Sequence, residues 1–283
     1  MQIPKYIKRI DNEWWFTEDD RDNLKISYRI KDIVFSQMSD IQHVMILDSY
    51  DFGRMLVLDG VVQTTSIDGY IYNEMIAHVP LALHKDPKKV LIIGGGDCGA
   101  AKEAVKYPQV KRIDMIEIDE LVVKVCKEHL QEVSGNLSDS RVNFIYADGV
   151  KYAAKSKEKY DVIIVDSSDP VGPAVQLIEL PFYKNLYKLL ADDGIIVCQS
   201  QSPIFHFDIM SQIYQRMHSL FNQTEIFIAT VPTYPGGLWS FTLGAKEPID
   251  FKIDEFNKAT KYITGALIER CFILPRFMKY FNE

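Results

Sequence analysis

From Val90 to Ser200 the chain alternates short, continuous apolar runs with amphipathic stretches, and this alternation restricts the possible folds more than any other feature of the sequence. The runs are VLIIGGG from Val90, IDMIEID from Ile113, VNFIYAD from Val142, YDVIIVD from Tyr160 and GIIVCQS from Gly194. Between them, helical patterns run to about Tyr107, from Glu120 to Leu130 and around Phe182 to Leu190. Strands that are apolar on both faces need cover on both faces, so the pattern predicts a parallel α/β sheet sandwiched by helices. Two later runs, Glu225 to Thr230 and Trp239 to Ala245, flank a Pro-Gly-rich turn and are expected to close that sheet antiparallel.

Upstream the period changes. From Trp14 to Ser66 the β-forming runs LKISYRI, DIVFSQM, IQHVMILDSY, RMLVLDG and VVQTTS are punctuated by Gly53 and by Asp59-Gly60 at hairpin spacing. They predict a small antiparallel sheet, with Trp14 and Trp15 among its anchors. A sheet this small has little core of its own and is expected to pack on its neighbour or on another subunit. Tyr72, Ile76, Val79 and Leu83 then recur at helical intervals. The expected division is residues 1–66 and residues 67–283.

Composition excludes several classes. The chain has 283 residues, 32 Lys+Arg and 39 Asp+Glu, a net charge of −7, which offers no field to attract nucleic acid. Cys98, Cys126, Cys198 and Cys271 form no CxxC pair and have no His at zinc-like spacing, so free thiols in a reducing compartment are expected, and no metal. The segment MQIPKYIKRIDNEWW lacks the apolar stretch of a signal peptide, and no apolar run reaches a membrane-spanning length. A cytoplasmic protein without membrane or nucleic-acid partners is the expectation.

The first apolar run leads into Gly94-Gly95-Gly96-Asp97-Cys98-Gly99, a GxGxxG pattern at a strand-to-helix turn, and the next run reaches Glu117 about twenty residues on. That combination signals a ribose-containing ligand and fits a dinucleotide or a sulfonium nucleoside equally. A row of acids separates the two. Asp97, Glu117, Asp148 and Asp166 each follow or end a predicted strand, so all four face one rim of the sheet, where open α/β folds bind ligands. Any one of them is explained by a helix cap. Four together repel a pyrophosphate and suit a ligand with hydroxyls and positive charge. Asp166-Ser167-Ser168-Asp169-Pro170-Val171-Gly172-Pro173 adds a second carboxylate and a loop able to close over a substrate.

The segments LVLDGVVQ, YNEMIAHVPL, VLIIGGGD, DSSDPVGPA and PTYPGGLW, in this order, resemble the spermidine synthases, or polyamine aminopropyltransferases, and the likeness runs from WWFTE at Trp14 to CFILPRFMK. The resemblance implies a Rossmann-like, methyltransferase-type doubly wound sheet behind the small N-terminal β domain. It also implies transfer of an aminopropyl group from decarboxylated S-adenosylmethionine to a diamine, usually putrescine, giving spermidine and 5′-methylthioadenosine without a metal or other cofactor. By similarity Asp166 is the base, and Asp169, Tyr72, Asn73, Gln199 and Tyr234 lie on the diamine side. Asp97 would hold the ammonium of the aminopropyl arm. Gln42, Gly94, Gly96, Glu117, Asp148, Gly149 and Pro173 lie on the nucleoside side. A homodimer or homotetramer through the N-terminal sheet is implied as well.

Three positions depart from the family pattern. Cys98 replaces the fifth residue of GGGDGG, either as a tolerated small side chain or as a thiol activated by a helix N-terminus. Asn73 stands where His or Gln is usual, and Gly69 where an acid commonly follows Asp68; together they suggest a wider pocket and an acceptor such as cadaverine or agmatine. Other readings of the site are a diamine N-methyltransferase using S-adenosylmethionine, a nicotinamide-dependent oxidoreductase, and a polyamine-binding sensor without turnover. His43, His78, His84 and His129 are scattered and read as surface or helix residues rather than ligands.

Overall fold

The computed structural model describes the backbone of residues 4–135, 137–168 and 172–281, and the side chains among them except those of 20, 172, 173 and 279–281. Asp169 thus lies outside the described residues, as does the side chain of Pro173. The first sheet has six strands in chain order, each antiparallel to the next: β1 (Ile7–Ile10), β2 (Glu13–Arg21), β3 (Leu24–Met38), β4 (His43–Ser49), β5 (Arg54–Leu58) and β6 (Val61–Thr65).

Two expectations for this sheet need correction. LKISYRI and DIVFSQM are one strand, β3, because the irregularities between Ile30 and Asp32 and between Ile33 and Phe35 are register shifts that bend the strand without ending it. The sheet also starts earlier, at β1, through a two-residue turn in which Asp11 and Asn12 adopt φ of 48° and 66°. Positive φ at both positions matches the twist of a tight hairpin, and Asp and Asn tolerate it better than most residues. Asp59-Gly60, with φ of 51° and 91°, makes the equivalent turn where it was expected.

The second sheet is built from α1 (Gly69–Leu83), β7 (Lys89–Gly94), α2 (Gly99–Ala104), β8 (Arg112–Glu117), α3 (Glu120–His129), α4 (Gln131–Ser134), β9 (Val142–Tyr146), α5 (Gly149–Lys155) and β10 (Tyr160–Asp166). A 3-10 helix (Gly172–Ile178), α6 (Leu180–Leu189), β11 (Leu190–Gln199), α7 (Phe207–His218), β12 (Gln223–Thr230), β13 (Leu238–Ala245) and α8 (Gly265–Arg270) follow. The strand order is β12-β13-β11-β10-β7-β8-β9. The five strands from β11 to β9 are parallel, and β13 is antiparallel to both neighbours. This is the expected methyltransferase-type doubly wound sheet with its antiparallel closure. α2 stops at Ala104, short of Tyr107, and the chain tightens into turns bonded Lys106 N to Glu103 O and Tyr107 N to Ala104 O ahead of Pro108.

The strands of this sheet bury both faces. Val90, Ile92, Val162, Ile164, Ile195 and Val197 enter the core under α1 and α2, while their neighbours Leu91, Ile93, Ile163, Val165, Ile196 and Cys198 enter the core with Phe182 and Leu186 of α6. Period-two alternation with apolar residues on both sides is why these runs read as continuous. One face of the N-terminal sheet, through Val44, Ile46 and Leu56, packs on Val122, Val125 and Cys126 of α3. The opposite face gathers Phe16, Tyr28, Ile30, Met45, Leu47 and Met55, with Trp14 packed against them. No helix among the described residues is long and apolar enough to cross a membrane.

Candidate active site

The chain leaves β7 in one direction toward β8 and β9 and returns to place β10 and β11 on the other side, so a crevice opens between the carboxyl ends of β7 and β10. Gly94 and Asp166 are paired residues at that point. Gly94 has φ of +83°, and a Cβ on it would lie 2.1 Å from the Asp166 carbonyl oxygen. The Gly95 N–H donates to the same carbonyl at 2.9 Å. Glycine at position 94 is therefore what lets the loop cross directly over the end of β10.

Asp166 Oδ1 accepts a 2.6 Å hydrogen bond from Tyr72 Oη. Tyr72 sits one turn into α1, its ring 5.7 Å from that of Tyr234 and 5.3 Å from that of Phe241. The Tyr234 hydroxyl donates to Gln63 O at 2.7 Å, which ties the PTYPGG turn to β6. Asp97 receives the Gly99 N–H on Oδ1 at 2.8 Å and Asn73 Nδ2 on Oδ2 at 3.2 Å. The two acids thus face the two consecutive α1 residues, Tyr72 and Asn73. A Cβ at Gly99 would lie 2.1 Å from Asn73 Nδ2, so the amide fills the space a larger residue there would need.

On the other side of the crevice, Glu117 Oε1 accepts the Asp119 N–H at 2.9 Å. A Cβ at Gly96 would be 3.0 Å from Glu117 Oε2, which places this carboxylate against the glycine loop. Asp148 caps α5 through Val150 N at 2.9 Å and Lys151 N at 3.1 Å, while Gly149 packs on Ile93. Gln199 Nε2 donates to Ser167 O at 3.1 Å and so supports the segment after Asp166. An open cavity of about 820 Å³ lined by Trp15, Tyr28, Tyr50, Phe52 and Tyr234 lies to the side and includes none of the four acids.

Two acids outside the expected set hold this arrangement together. Asp119 caps α3 through Leu121 N and accepts both Ser39 Oγ (2.7 Å) and Gln42 Nε2 (3.1 Å), so Gln42, just before β4, is tied to the start of α3. Asp68 accepts Thr233 N at 2.9 Å, Thr233 Oγ1 at 2.7 Å and Thr65 Oγ1 at 2.6 Å, fixing the start of α1 against the turn that carries Tyr234. Their signals were present in IDMIEID and in SIDGY, but nothing local to those segments indicates partners so distant in sequence.

Clustered burial sets the electrostatics. Burial, then repulsion from Asp97, pushes Asp166 up to about 7 against the pull of the Tyr72 hydrogen bond. Burial pushes Glu117 up to about 7 as well, and raises Asp97 despite its hydrogen bonds from Gly99 and Asn73. Such a site is poised to receive cations, which relieve the repulsion.

Stability should follow the same logic. Glu117 takes up a proton more readily in the folded chain than in the unfolded one, so its penalty is absent below its ordinary value of 4.5, grows as pH rises, and is complete above about 7. At neutral pH it is roughly 3 kcal/mol. Chemical denaturation of ligand-free protein should find Glu117→Gln more stable than the parent at pH 8 and nearly equal at pH 5. A gap that widens on acidification would contradict this assignment.

The activated-thiol reading of Cys98 fails. The residue caps α2 in the left-handed region, at φ of 66°, but its side chain is fully buried and burial drives its pKa up, so no thiolate forms near neutrality. Native protein should resist iodoacetamide at Cys98, with modification appearing only on unfolding; rapid native labelling would contradict this. Nor does Gly69 widen a pocket, because a Cβ there would lie 2.2 Å from Thr64 Oγ1. Of the histidines expected to be surface or helix residues, His78 lies within α1, fully buried against Glu103 and Tyr107, and His84 is buried just past the end of that helix.

A doubly wound sheet with buried acids converging on its switch point defines a nucleoside-type site adapted to positive charge. Residues 69–253 match the spermine/spermidine synthase domain and residues 14–66 the spermidine synthase tetramerisation domain. The polyamine aminopropyltransferase of Thermoanaerobacter sp. (strain X514) is 45% identical over 270 residues, covering 94% of this chain and 98% of that protein. The polyamine aminopropyltransferase of Methanocaldococcus jannaschii is 42% identical over 274 residues, 94% of each chain. Among solved structures, a spermidine synthase in complex with the transition-state analogue AdoDATO superposes with a TM-score of 0.90 at 34% identity over 94% of each chain. The spermidine synthase from Thermotoga maritima does so with a TM-score of 0.87, at 34% identity over 94% of this chain and 93% of that one. The chain belongs to the spermine/spermidine synthase family and is an aminopropyltransferase of polyamine biosynthesis.

Proposed function

We propose that the enzyme transfers the aminopropyl group of decarboxylated S-adenosylmethionine to putrescine, producing spermidine and 5′-methylthioadenosine, with Asp166 as the base. The observation that carries this reading is the buried Asp166 carboxylate, held near 7 and bonded by Tyr72 at 2.6 Å, at the mouth of the crevice. A primary ammonium has no lone pair to attack with. Asp166 accepts its proton, the freed nitrogen forms the C–N bond to the carbon beside the sulfonium, and the C–S electron pair returns to sulfur as a neutral thioether. A base near the working pH is matched to that transfer. The sulfonium is its own activated leaving group, so no step requires a metal.

Asp97 holds the ammonium of the transferred arm. Asn73 Oδ1, buried and without a hydrogen-bond partner, supplies an acceptor beside it. Glu117 takes the ribose hydroxyls, Asp148 and Gly149 the adenine edge, and Gln42 supports the ribose from the N-terminal sheet; Gly94 and Gly96 let the loop approach, and Pro173 covers the nucleoside. Tyr72, Tyr234, Gln199 and Asp169 hold the diamine. Residues 1–66 form the unit through which the chain assembles as a homodimer or homotetramer, residues 67–283 carry the chemistry, and the enzyme works in the cytoplasm.

Putrescine is favoured over longer acceptors because Thr64 occupies the space at Gly69, leaving Asn73 alone to argue for a shifted preference. Comparing kcat/KM on putrescine, cadaverine and agmatine with a saturating aminopropyl donor tests the acceptor. Putrescine should lead; a lead for either of the others would overturn it.

A further inference from the structure

At the end of the sheet opposite the crevice, His84, Asp161 and Asp193 bring one ring nitrogen and two carboxylate oxygens within 4.8 Å of one another. His84 follows α1, Asp161 is the second residue of β10, and Asp193 lies in the first part of β11. Asp166, at the other end of β10, is about 16 Å away along the strand at the usual rise per residue. We propose that these three side chains bind one divalent transition ion, with Zn²⁺ the best fit to the donor set.

The imidazole points to a ligand. His84 is only 6% exposed, and its Nε2 is buried without a hydrogen-bond partner. Asp193 Oδ1, at 3.7 Å, is beyond hydrogen-bond reach. Buried polar atoms are nearly always satisfied, and this nitrogen lies beside two carboxylates without bonding either, which leaves a place for a cation among the three once the ring proton moves to Nδ1. Asp161 is oriented by the N–H groups of Lys88 (2.7 Å) and Lys89 (2.8 Å), both on Oδ2, the kind of outer support that holds metal-binding carboxylates in place. The ammonium groups of those lysines are paired elsewhere, with Asp86 and Glu158.

One imidazole nitrogen and two carboxylates suit tetrahedral Zn²⁺ with water in the fourth position, and their two negative charges balance the ion. Bonds of about 2.0–2.2 Å place tetrahedral ligands roughly 3.3 Å apart, so the site must contract. The Asp193 side chain, 66% exposed, is free to swing in. His84 Nδ1 now accepts the Asp86 N–H at 3.2 Å; coordination through Nε2 moves the ring proton to Nδ1 and gives up that bond. This exchange lowers the expected affinity. The bound ion would join the end of α1, the helix bearing Tyr72 and Asn73, to the strand bearing Asp166.

Calorimetric titration of the full chain with ZnCl₂ in a non-chelating buffer tests the site. One ion should bind per chain and raise the melting temperature. Asp193→Ala and His84→Gln should each weaken binding at least tenfold and abolish the thermal shift, while Asp193→Ala keeps parental turnover in metal-free buffer. Because Asp193 is exposed, its variant decides the question even if His84→Gln fails to fold. Absence of binding at millimolar Zn²⁺, or unchanged affinity in Asp193→Ala, would overturn the proposal.

Discussion

Replacing Asp166 by Asn is expected to lower kcat by about 10²- to 10⁴-fold, the range for loss of a positioned general base, while nucleoside affinity changes by less than tenfold. The amide preserves the volume and can still meet Tyr72 Oη, now 2.6 Å from Oδ1, so the crevice keeps its shape. It cannot accept the ammonium proton. It also removes a negative charge that burial, and then repulsion from Asp97, disfavours at Asp166, so the ligand-free variant should be no less stable than the parent at pH 8. Stopped-flow binding of 5′-methylthioadenosine, read beside steady-state turnover, separates chemistry from binding. Turnover within tenfold of the parent would remove Asp166 from the role of base.

Gly94→Ala should have a comparable effect by a different route. The residue sits at φ of +83°, and the added Cβ would lie 2.1 Å from a backbone carbonyl, which has no rotamer by which to escape. A left-handed conformation costs a non-glycine residue about 1–2 kcal/mol, and forced overpacking adds about 1–3. The expected loss is thus roughly 2–5 kcal/mol in urea denaturation. The contact is with Asp166 itself, on the strand paired with β7, so any surviving fold should have Asp166 displaced and its turnover reduced at least a hundredfold. Stability within about 0.5 kcal/mol of the parent would mean that the loop after β7 does not pass directly over the end of β10.

The strand ends of the second sheet were legible because their signal is local. A buried parallel strand is apolar throughout, so the first acid after it marks the rim, and Glu117, Asp148 and Asp166 could be placed from the runs that precede them. What escaped depends on contacts between distant segments. Asp119 and Asp68 act through Gln42 and Thr233, partners that only the fold brings up from far along the chain. Gly69 reads as a missing charge, although in the fold Thr64 fills its place. Cys98 at a helix start suggests an activated thiol, and only packing shows the side chain to be buried. His84, Asp161 and Asp193 share no spacing that marks a cluster; strands β10 and β11 bring the two acids to the end of α1. β1 was missed for a local reason, since Asp11-Asn12 turns the chain without glycine or proline.

Aminopropyl transfer to putrescine is read most directly by incubating the enzyme with decarboxylated S-adenosylmethionine and putrescine and following 5′-methylthioadenosine by chromatography. Methylthioadenosine and spermidine should appear in equal amounts, dependent on the diamine, with no S-adenosylhomocysteine when S-adenosylmethionine is supplied instead. Tight nucleoside binding without methylthioadenosine, or methyl transfer from S-adenosylmethionine to the diamine, would contradict it.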